Sequence, residues 1–305
     1  MQMPALTGLA RCLAAPDRVG SAMALAGAWV DQEVTLTLAG IGPRATPDLG
    51  AHVRRSFLGA LGPAASAAAR AGAPCPWDPP CALDVFCREQ LRFGGDGLPK
   101  PYVLCLTRHG DDLAVTLRVF GMANDWFMAA AEALAAGIAG VLPWARVMPG
   151  LTGPPAVPGR RIGGHRIAPA MPEGAVTLHL LSPVDMSGEN PAGPADPGVR
   201  LMSRLIRRVD AMARWHGVAL DDGAMRDLTA AAHRLRSVAD ATVRGRSHSP
   251  NRKRERRDNP TITGSLALAG DFTALGPILQ MGVRCHLGRH ATEGLGAFRV
   301  EVADA

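Results

Sequence analysis

The stretch TGSLALAGDFTALGPILQMGVRCHLGRHATEGLGAFRV, residues 263–300, decides the fold that we expect for this chain. Its first residues complete an alternating strand pattern over 261–270, and the apolar spacing that follows is typical of a helix. Asp271 or Thr273 can cap that helix. A glycine-rich loop then leads into a second strand, residues 296–302. The order predicted for this end of the chain is therefore strand, helix, glycine-rich loop, strand.

The glycine-rich loop also carries polar side chains, among them Arg289 and His290. Glycine lets a backbone come close to a phosphate, and successive amide groups can form an anion-binding concavity. Two interpretations are open at this point. Either the loop only turns the chain between helix and strand, or it holds an anion with its amides and cationic side chains.

The first half of the chain shows a strand and helix order that fits half of a ferredoxin-like fold, β-α-β-β-α. Alternating apolar positions predict the strands, and helical spacing predicts the helices. In chain order the predicted elements are a strand at 33–41, a helix at 52–71, two strands within 102–121 joined by a Gly-Asp-Asp turn, and a helix at 126–139 capped by Asn124 or Asp125.

A second half follows a segment rich in glycine and proline, residues 148–165, which has the composition of a linker. We therefore expect an N-terminal domain at 1–150 and a C-terminal domain at 151–305. The second domain opens with a strand at 174–186. Two amphipathic helices, 199–216 and 221–243, then form a predicted helical hairpin inserted at 199–243.

Arginines cover the outer faces of both predicted helices. A solvated helix surface usually mixes lysine with acidic residues, whereas the first helix has five arginines and one acid, Asp210. We therefore favour contact with nucleic acid over simple solvation. The inward residues are Leu201, Leu205, Ile206, Val209 and Met212 in the first helix, and Met225, Leu228, Leu235 and Val238 in the second. The outward residues are Arg200, Arg204, Arg207, Arg208 and Arg214, then Arg226, His233, Arg234 and Arg236.

The most polar part of the chain is VRGRSHSPNRKRERRDNP, residues 243–260, which we call the basic run. Such a segment is either a disordered basic arm or a phosphate-binding loop. Because it is internal and feeds directly into the strand predicted at 261–270, we expect a loop anchored at both ends. An anchored loop suits a clamp on a phosphate backbone.

The charge balance of the chain also favours contact with nucleic acid. The chain of 305 residues has a net charge of +6, yet its only lysines are Lys100 and Lys253. Guanidinium groups bind phosphate through paired hydrogen bonds and stack on planar bases, so this composition suits nucleic acid. A hydrophobic content of 47% and a charged content of 20% describe a globular protein. A basic enzyme without such a specialisation stays open as an alternative.

Several other classes are disfavoured. The longest apolar stretch, residues 128–144, is too short and too rich in alanine and glycine for a membrane span, and the start lacks the pattern of a secretory signal, so we expect a cytoplasmic protein. Cys75, Cys81 and Cys87 lack the spacing of a structural zinc site, although His52 or a distant residue could complete one. A dinucleotide-binding loop would follow a strand and open a helix, which is the reverse of the order here.

The C-terminal pattern resembles that of the CRISPR-associated endoribonucleases that process precursor CRISPR RNA, members of the RAMP superfamily. The matching positions are Gly264, Gly270, Gly282, His286, Gly288, Gly294, Gly296 and Phe298. Weaker similarities are HVRRSFLGALG at 52–62, with Arg54 at the family's arginine position, LPKPYVL at 98–104, HLLSPVDM at 179–186 and VRLMSRLIRRVDAM at 199–212.

The resemblance implies an α+β protein with two ferredoxin-like βαββαβ domains, the arginine-rich helical hairpin being inserted in the second. It implies metal-independent cleavage, in which the 2′-hydroxyl attacks the scissile phosphate and leaves a 2′,3′-cyclic phosphate, without a cofactor. His52 beside Arg54 is the first candidate for acid–base work and His248 the second. Because Tyr102 is the only tyrosine and neither lysine lies near His52 along the chain, neither a Tyr–His nor a His–Lys pair of the family's kind is available. Arginines alone could instead stabilise charge, as would suit divergent type IV relatives. His286, which directly follows the apolar helix, is expected to be structural.

The expected partners are a precursor CRISPR RNA stem-loop, whose cleavage product the protein keeps bound, and other subunits of a CRISPR effector complex. A non-catalytic RNA-binding subunit of such a complex is the alternative. The predicted RNA-binding residues are Arg55, Arg204, Arg207, Arg208, Arg214, Arg234, Arg236, Arg244, Arg246, Arg252, Lys253, Arg254, Arg256, Arg257, Gly288, Arg289, His290, Gly294 and Gly296.

Overall fold

A computed structural model describes most of the chain. The described residues are 8–39, 49–93, 96–141, 146–147, 173–187, 196–248 and 258–302. They fall into two compact units, the first within Met1–Arg18, Val30–Gly164 and Ala211–Ala219, and the second within Val19–Trp29, His165–Asp210 and Leu220–Ala305. No helix in these ranges is both long and apolar enough to cross a membrane.

The elements are numbered along the chain. The α-helices are α1 (Gly8–Ala14), α2 (Ala22–Ala28), α3 (Leu49–Ala60), α4 (Ala67–Arg70), α5 (Ala82–Cys87), α6 (Phe127–Val141), α7 (Pro197–Ala213), α8 (Asp222–Arg234) and α9 (Gly276–Cys285), with 3-10 turns at Gly121–Trp126, Arg214–His216 and Ala291–Glu293. The strands are β1 (Arg18–Gly20), β2 (Asp31–Ala39), β3 (Arg92–Phe93), β4 (Asp96–Gly97), β5 (Tyr102–His109), β6 (Asp112–Phe120), β7 (Arg146–Val147), β8 (Glu173–Asp185), β9 (Val218–Leu220), β10 (Arg236–His248), β11 (Asp258–Asp271) and β12 (Phe298–Val302).

The first unit contains a four-stranded antiparallel sheet in the order β5-β6-β2-β7. Helix α3 lies between β2 and β5 in the chain, and α6 lies between β6 and β7. This is the order of a ferredoxin-like βαββαβ fold. Alternate residues of β2, namely Val34, Leu36 and Leu38, are buried, as a sheet with one covered face requires.

The second unit repeats this topology with the antiparallel strand order β10-β11-β8-β12. Helices α7 and α8 both lie between β8 and β10, and α9 lies between β11 and β12. Helix α9 packs closely on α7, because a Cβ at Gly282 would come within 2.5 Å of the Leu205 side chain. The expected fold class, two ferredoxin-like βαββαβ units, is therefore confirmed.

Helix α7 buries the face that was predicted from its spacing. Its inward residues are Leu201, Leu205, Ile206, Val209 and Met212, all of which are buried. The second helix is different, because the predicted helix at 221–243 ends at Arg234 and the chain continues as β10. Leu235 is already extended, and the following residues pair in register with β11, which leaves Val238 59% exposed instead of buried. A continuous helical hairpin over 199–243 was therefore wrong.

Other local predictions need smaller corrections. The helix expected at 52–71 is divided into α3 and α4, because Pro63 has no amide proton with which to continue a helix. Asn124 and Asp125 lie inside a 3-10 turn instead of capping α6. Asp271 accepts the amide of Thr273, but no side chain caps α9.

Each of the two units includes a short segment from the part of the chain that otherwise forms the other unit. Residues 19–29, which include α2, belong to the second unit, and residues 211–219 belong to the first. The contiguous division at 150/151 did not anticipate this exchange. The predicted linker at 148–165 lies outside the described residues.

Candidate nucleic-acid-binding site

The glycine-rich loop, residues 286–297, connects α9 to β12 through the turn Ala291–Glu293. Gly288, Gly294 and Gly296 all have positive φ angles. At Gly296 a Cβ would clash with the carbonyl of Leu287, and at Gly288 it would come within 3.1 Å of the Asp185 carbonyl. The glycines are therefore required by the close packing of the loop on its own unit.

Several amide groups of the loop donate to oxygen atoms of the protein itself. Leu287 donates to the carbonyl of Gly296 at 2.8 Å, and Gly296 donates to the carbonyl of Pro183 at 2.9 Å. Gly294 donates to the carbonyl of Ala291 at 3.2 Å, and Ala297 donates to the Ser182 hydroxyl at 2.9 Å. These amides are therefore engaged within the protein and do not point at an external anion.

A fully buried carboxylate holds the loop against the end of β8. Asp185 accepts the amide of Ser187 at 2.6 Å and the side-chain amide of Asn259 at 3.2 Å. Nε2 of His290 lies 3.3 Å from the same carboxylate, and its Nδ1 lies 3.3 Å from Oε2 of Glu293. Both ring nitrogens of His290 thus face carboxylates. Through them the histidine connects the loop to Asp185 at the end of β8 and to Glu293 within the loop itself. The exposed side chain of Arg289 is the cation that the loop presents.

Three predicted RNA-binding arginines that are not exposed donate to main-chain carbonyls. Arg204 donates to the carbonyls of Asp185 and Met186, each at 3.0 Å. Arg208 donates to the carbonyl of Cys285 at 3.2 Å and so caps the end of α9, and burial lowers the pKa of its guanidinium. Arg214 donates to a carbonyl of the first unit, that of Leu13, at 3.0 Å. The structure gives these three side chains an intramolecular role.

Other predicted arginines lie at the surface. Arg207 is exposed on α7, where the adjacent Arg208 is not. The exposed arginines among the described part of the predicted set are Arg55 on α3, Arg207 on α7, Arg234 on α8, Arg236, Arg244 and Arg246 on β10, and Arg289 in the loop. Apart from Arg55, all of them belong to the second unit.

The β10–β11 hairpin carries the basic run. Arg244 pairs with Ile262, Arg246 with Pro260 and His248 with Asp258, so both ends of the run lie on hydrogen-bonded strands. The predicted anchoring at both ends is therefore present. Arg252, Lys253, Arg254, Arg256 and Arg257 lie outside the described residues.

The first unit holds the other catalytic candidates. His52 and Arg54 are half-buried on α3, whereas His248 belongs to the second unit. Lys100 is not among the predicted site residues, because it is distant from His52 along the chain. Burial, with a smaller contribution from the positive charge of Arg54, lowers the pKa of Lys100 to about 8. The one feature of the sequence that could have marked Lys100 as a functional residue is its position in LPKPYVL, a segment that resembles the family.

The remaining candidates are structural. Tyr102 is fully buried, and its ring lies 5.4 Å from that of Phe57 and 5.7 Å from that of Phe86, between centroids. His286 is also buried, and its Nδ1 lies 3.2 Å from the Leu295 carbonyl. Within the described ranges, no group of three or more histidine, cysteine and acidic side chains could hold a metal ion.

The chain resembles known proteins in the course of its backbone. No family model matches the chain, and neither does any curated protein. Among solved structures, a Cas6 product complex aligns with 89% of this chain and 100% of its own at a TM-score of 0.53 and 16% identity. Thermus thermophilus Cas6 aligns with 90% of this chain and 99% of its own, also at 0.53, with 14% identity.

The chain has the Cas6 fold. A chain of a partial Cas6-RT-Cas1–Cas2 complex agrees over 94% of this chain and 47% of its own, at a TM-score of 0.50 and 9% identity. The resemblance to CRISPR-associated endoribonucleases is thus confirmed at the level of the Cas6 fold. At these identities the likeness concerns the course of the backbone, so the function has to be argued from the residues.

Proposed function

We propose that this protein binds a CRISPR RNA stem-loop in the cytoplasm and cleaves the precursor transcript. The observation that carries the proposal is the β10–β11 hairpin, whose exposed arginines lead into the basic run within a Cas6-like second unit. Because this hairpin is part of a four-stranded sheet, Arg244 and Arg246 are held at a fixed spacing. Fixed cations lose less conformational freedom on binding a phosphate backbone than those of a free arm would.

Recognition should rest on phosphate contacts more than on base stacking. Single-stranded RNA is commonly read by bases stacked on aromatic side chains. Aromatic residues make up 4% of this chain, and Trp77 is the only aromatic among the described side chains that is largely exposed. The exposed arginines, in contrast, suit the sugar-phosphate backbone of a folded repeat.

The chemistry follows from the charges of the first unit. Cleavage by the 2′-hydroxyl needs a base, an acid for the leaving 5′-oxygen and a cation for the phosphorane. His52 is the proposed base, and Arg54 is the proposed cation. Lys100 is a proposed additional acid, because a pKa of about 8 keeps it protonated at neutral pH yet ready to give up its proton. His248 is the alternative acid–base group.

The test uses the full-length protein, an end-labelled CRISPR repeat RNA from the source genome, and EDTA. We expect one cut and a product that ends in a 2′,3′-cyclic phosphate. The control RNA lacks the 2′-hydroxyl next to the scissile phosphate and should be bound but not cut. Cleavage of that control, or cleavage that EDTA abolishes, would contradict the proposed mechanism.

A non-catalytic RNA-binding subunit of a CRISPR effector complex is the second candidate. It is favoured by the burial of Tyr102 in the core, because a Tyr–His pair of the family's kind is then not available. The same assay separates the two functions. Tight binding of the repeat with no cut at any pH between 6 and 9 would establish this alternative.

A further inference from the structure

Two buried thiols lie in contact in the first unit. The segment CPWDPPCALDVFC, residues 75–87, holds three of the six cysteines, and RNA binding does not account for it. Cys75 and Cys81 are 3% and 8% exposed and belong to one small apolar cluster with Ala65. The amide of Cys81 donates to Sγ of Cys75 at 3.4 Å, and the Cys81 side chain is also a hydrogen-bond partner of Cys75.

The surroundings of Cys75 favour its thiolate. Burial by itself raises the pKa of the Cys75 thiol. Hydrogen bonds from the Ser66 hydroxyl and from the amides of Cys81 and Trp77 outweigh that effect and bring the pKa below its ordinary value. The thiolate is the form that attacks an oxidant or a disulfide, so Cys75 is the more reactive member of the pair.

The contact between the two cysteines is built into the local structure. Asp84 of α5 is buried and accepts the amide of Cys75 at 2.9 Å. Its carboxylate is held in turn by Arg88 at 2.7 Å and by Gln90 at 3.0 Å. Because Cys81 is the residue that precedes α5, the same helix fixes both cysteines.

We propose that Cys75 and Cys81 are a modification site that closes to a disulfide when the protein meets hydrogen peroxide. The Cys75 thiolate attacks a peroxide oxygen, the O–O bond breaks, and hydroxide leaves, which gives a sulfenic acid. The Cys81 sulfur then attacks the Cys75 sulfur, releases its proton, and displaces the hydroxyl group as water. In sum, two thiols and one peroxide give one disulfide and two waters. The bond would close a ring around Trp77, whose side chain is 51% exposed.

Peptide mapping of the oxidised full-length protein tests this proposal. After peroxide, the remaining thiols are blocked with N-ethylmaleimide, and trypsin then releases residues 71–88 with all three cysteines on one peptide. We expect that peptide to lose two hydrogen atoms and to carry a single maleimide, at the exposed Cys87. Dithiothreitol before blocking should restore three maleimides. The exposed Cys12 is the internal control and should stay alkylated.

The Cys81→Ser variant isolates the first step. Without a partner thiol, oxidation should stop at a Cys75 sulfenic acid that dimedone traps. Three maleimides on the wild-type peptide after peroxide, a disulfide that includes Cys87, or sulfinic acid at Cys75 in the wild type would each overturn the proposal.

Discussion

Lys100 is expected to titrate near pH 8 because its ammonium group is partly removed from water. Burial is the largest cause of the lowered pKa, and Arg54 and Arg88 add to it, while Cys87 and Glu89 act in the opposite direction. The change is from 10.5 to about 8. At pH 7 about nine in ten Lys100 side chains are then still charged, and at pH 8 about half are.

The lowered pKa of Lys100 makes both the stability of the folded protein and the proposed RNA cleavage depend on pH. Above pH 8 the folded protein loses the Lys100 proton, whereas the unfolded chain keeps it until about pH 10.5. Between these two values the unfolded state binds more protons, so this lysine makes the folded state more stable as the pH rises. If Lys100 supplies a proton or a positive charge to the reaction, RNA cleavage should fall above pH 8.

The chain offers a clean assay, because Lys100 and Lys253 are its only lysines. NMR of protein labelled with ¹³C at the lysine ε-carbon should give two signals, of which one shifts with a midpoint near pH 8 and is missing in Lys100→Arg. Arginine keeps its charge at high pH, so the variant should abolish the fall in cleavage above pH 8 if only charge is needed. It should lose activity at every pH if a proton is needed. Two signals that both titrate above pH 10 would refute the reasoning.

The remaining predictions concern binding and packing. RNA affinity should fall steeply with salt, by about a thousandfold between 50 and 200 mM if about six phosphates are neutralised, as filter binding would measure. Arg207→Met should weaken RNA binding and reduce the salt slope by about one, without changing stability. Arg208→Met should leave the Cys285 carbonyl at the end of α9 without its cap and lower the free energy of unfolding by about 1–3 kcal/mol in urea denaturation. Gly296→Ala should destabilise the protein by more than about 2 kcal/mol, whereas Gly59→Ala, on the surface of α3, should stabilise it by about 0.5–1 kcal/mol.

The two arginine variants are controls for each other, and so are the two glycine variants. Equal effects of Arg207→Met and Arg208→Met on stability would contradict the separation of the surface arginine from the capping one. A harmless Gly296→Ala would show that the loop does not need its close approach to Leu287. A flat salt dependence would exclude binding through phosphates.

The sequence by itself determined the elements whose residues repeat with a regular period. The inward face of α7 could be predicted because its apolar side chains recur at helical spacing. The β5–β6 hairpin could be predicted because two alternating segments flank a tight turn at Gly110. The glycine-rich loop was found in the same way, since glycines mark positions where the backbone needs freedom.

Other features were decided only by the tertiary structure, because contacts with residues distant in sequence outweighed the local pattern. Residues 236–248 have a spacing that a helix could use, but pairing with β11 makes them a strand, because a strand gains its hydrogen bonds from a segment distant in sequence. The same principle separates Arg207 from Arg208. Sequence marks both as cations on a helix, and only the packing of α9 turns one of them into a cap. Likewise the low pKa of Lys100 depends on burial and on Arg54, which only the folded chain brings near it.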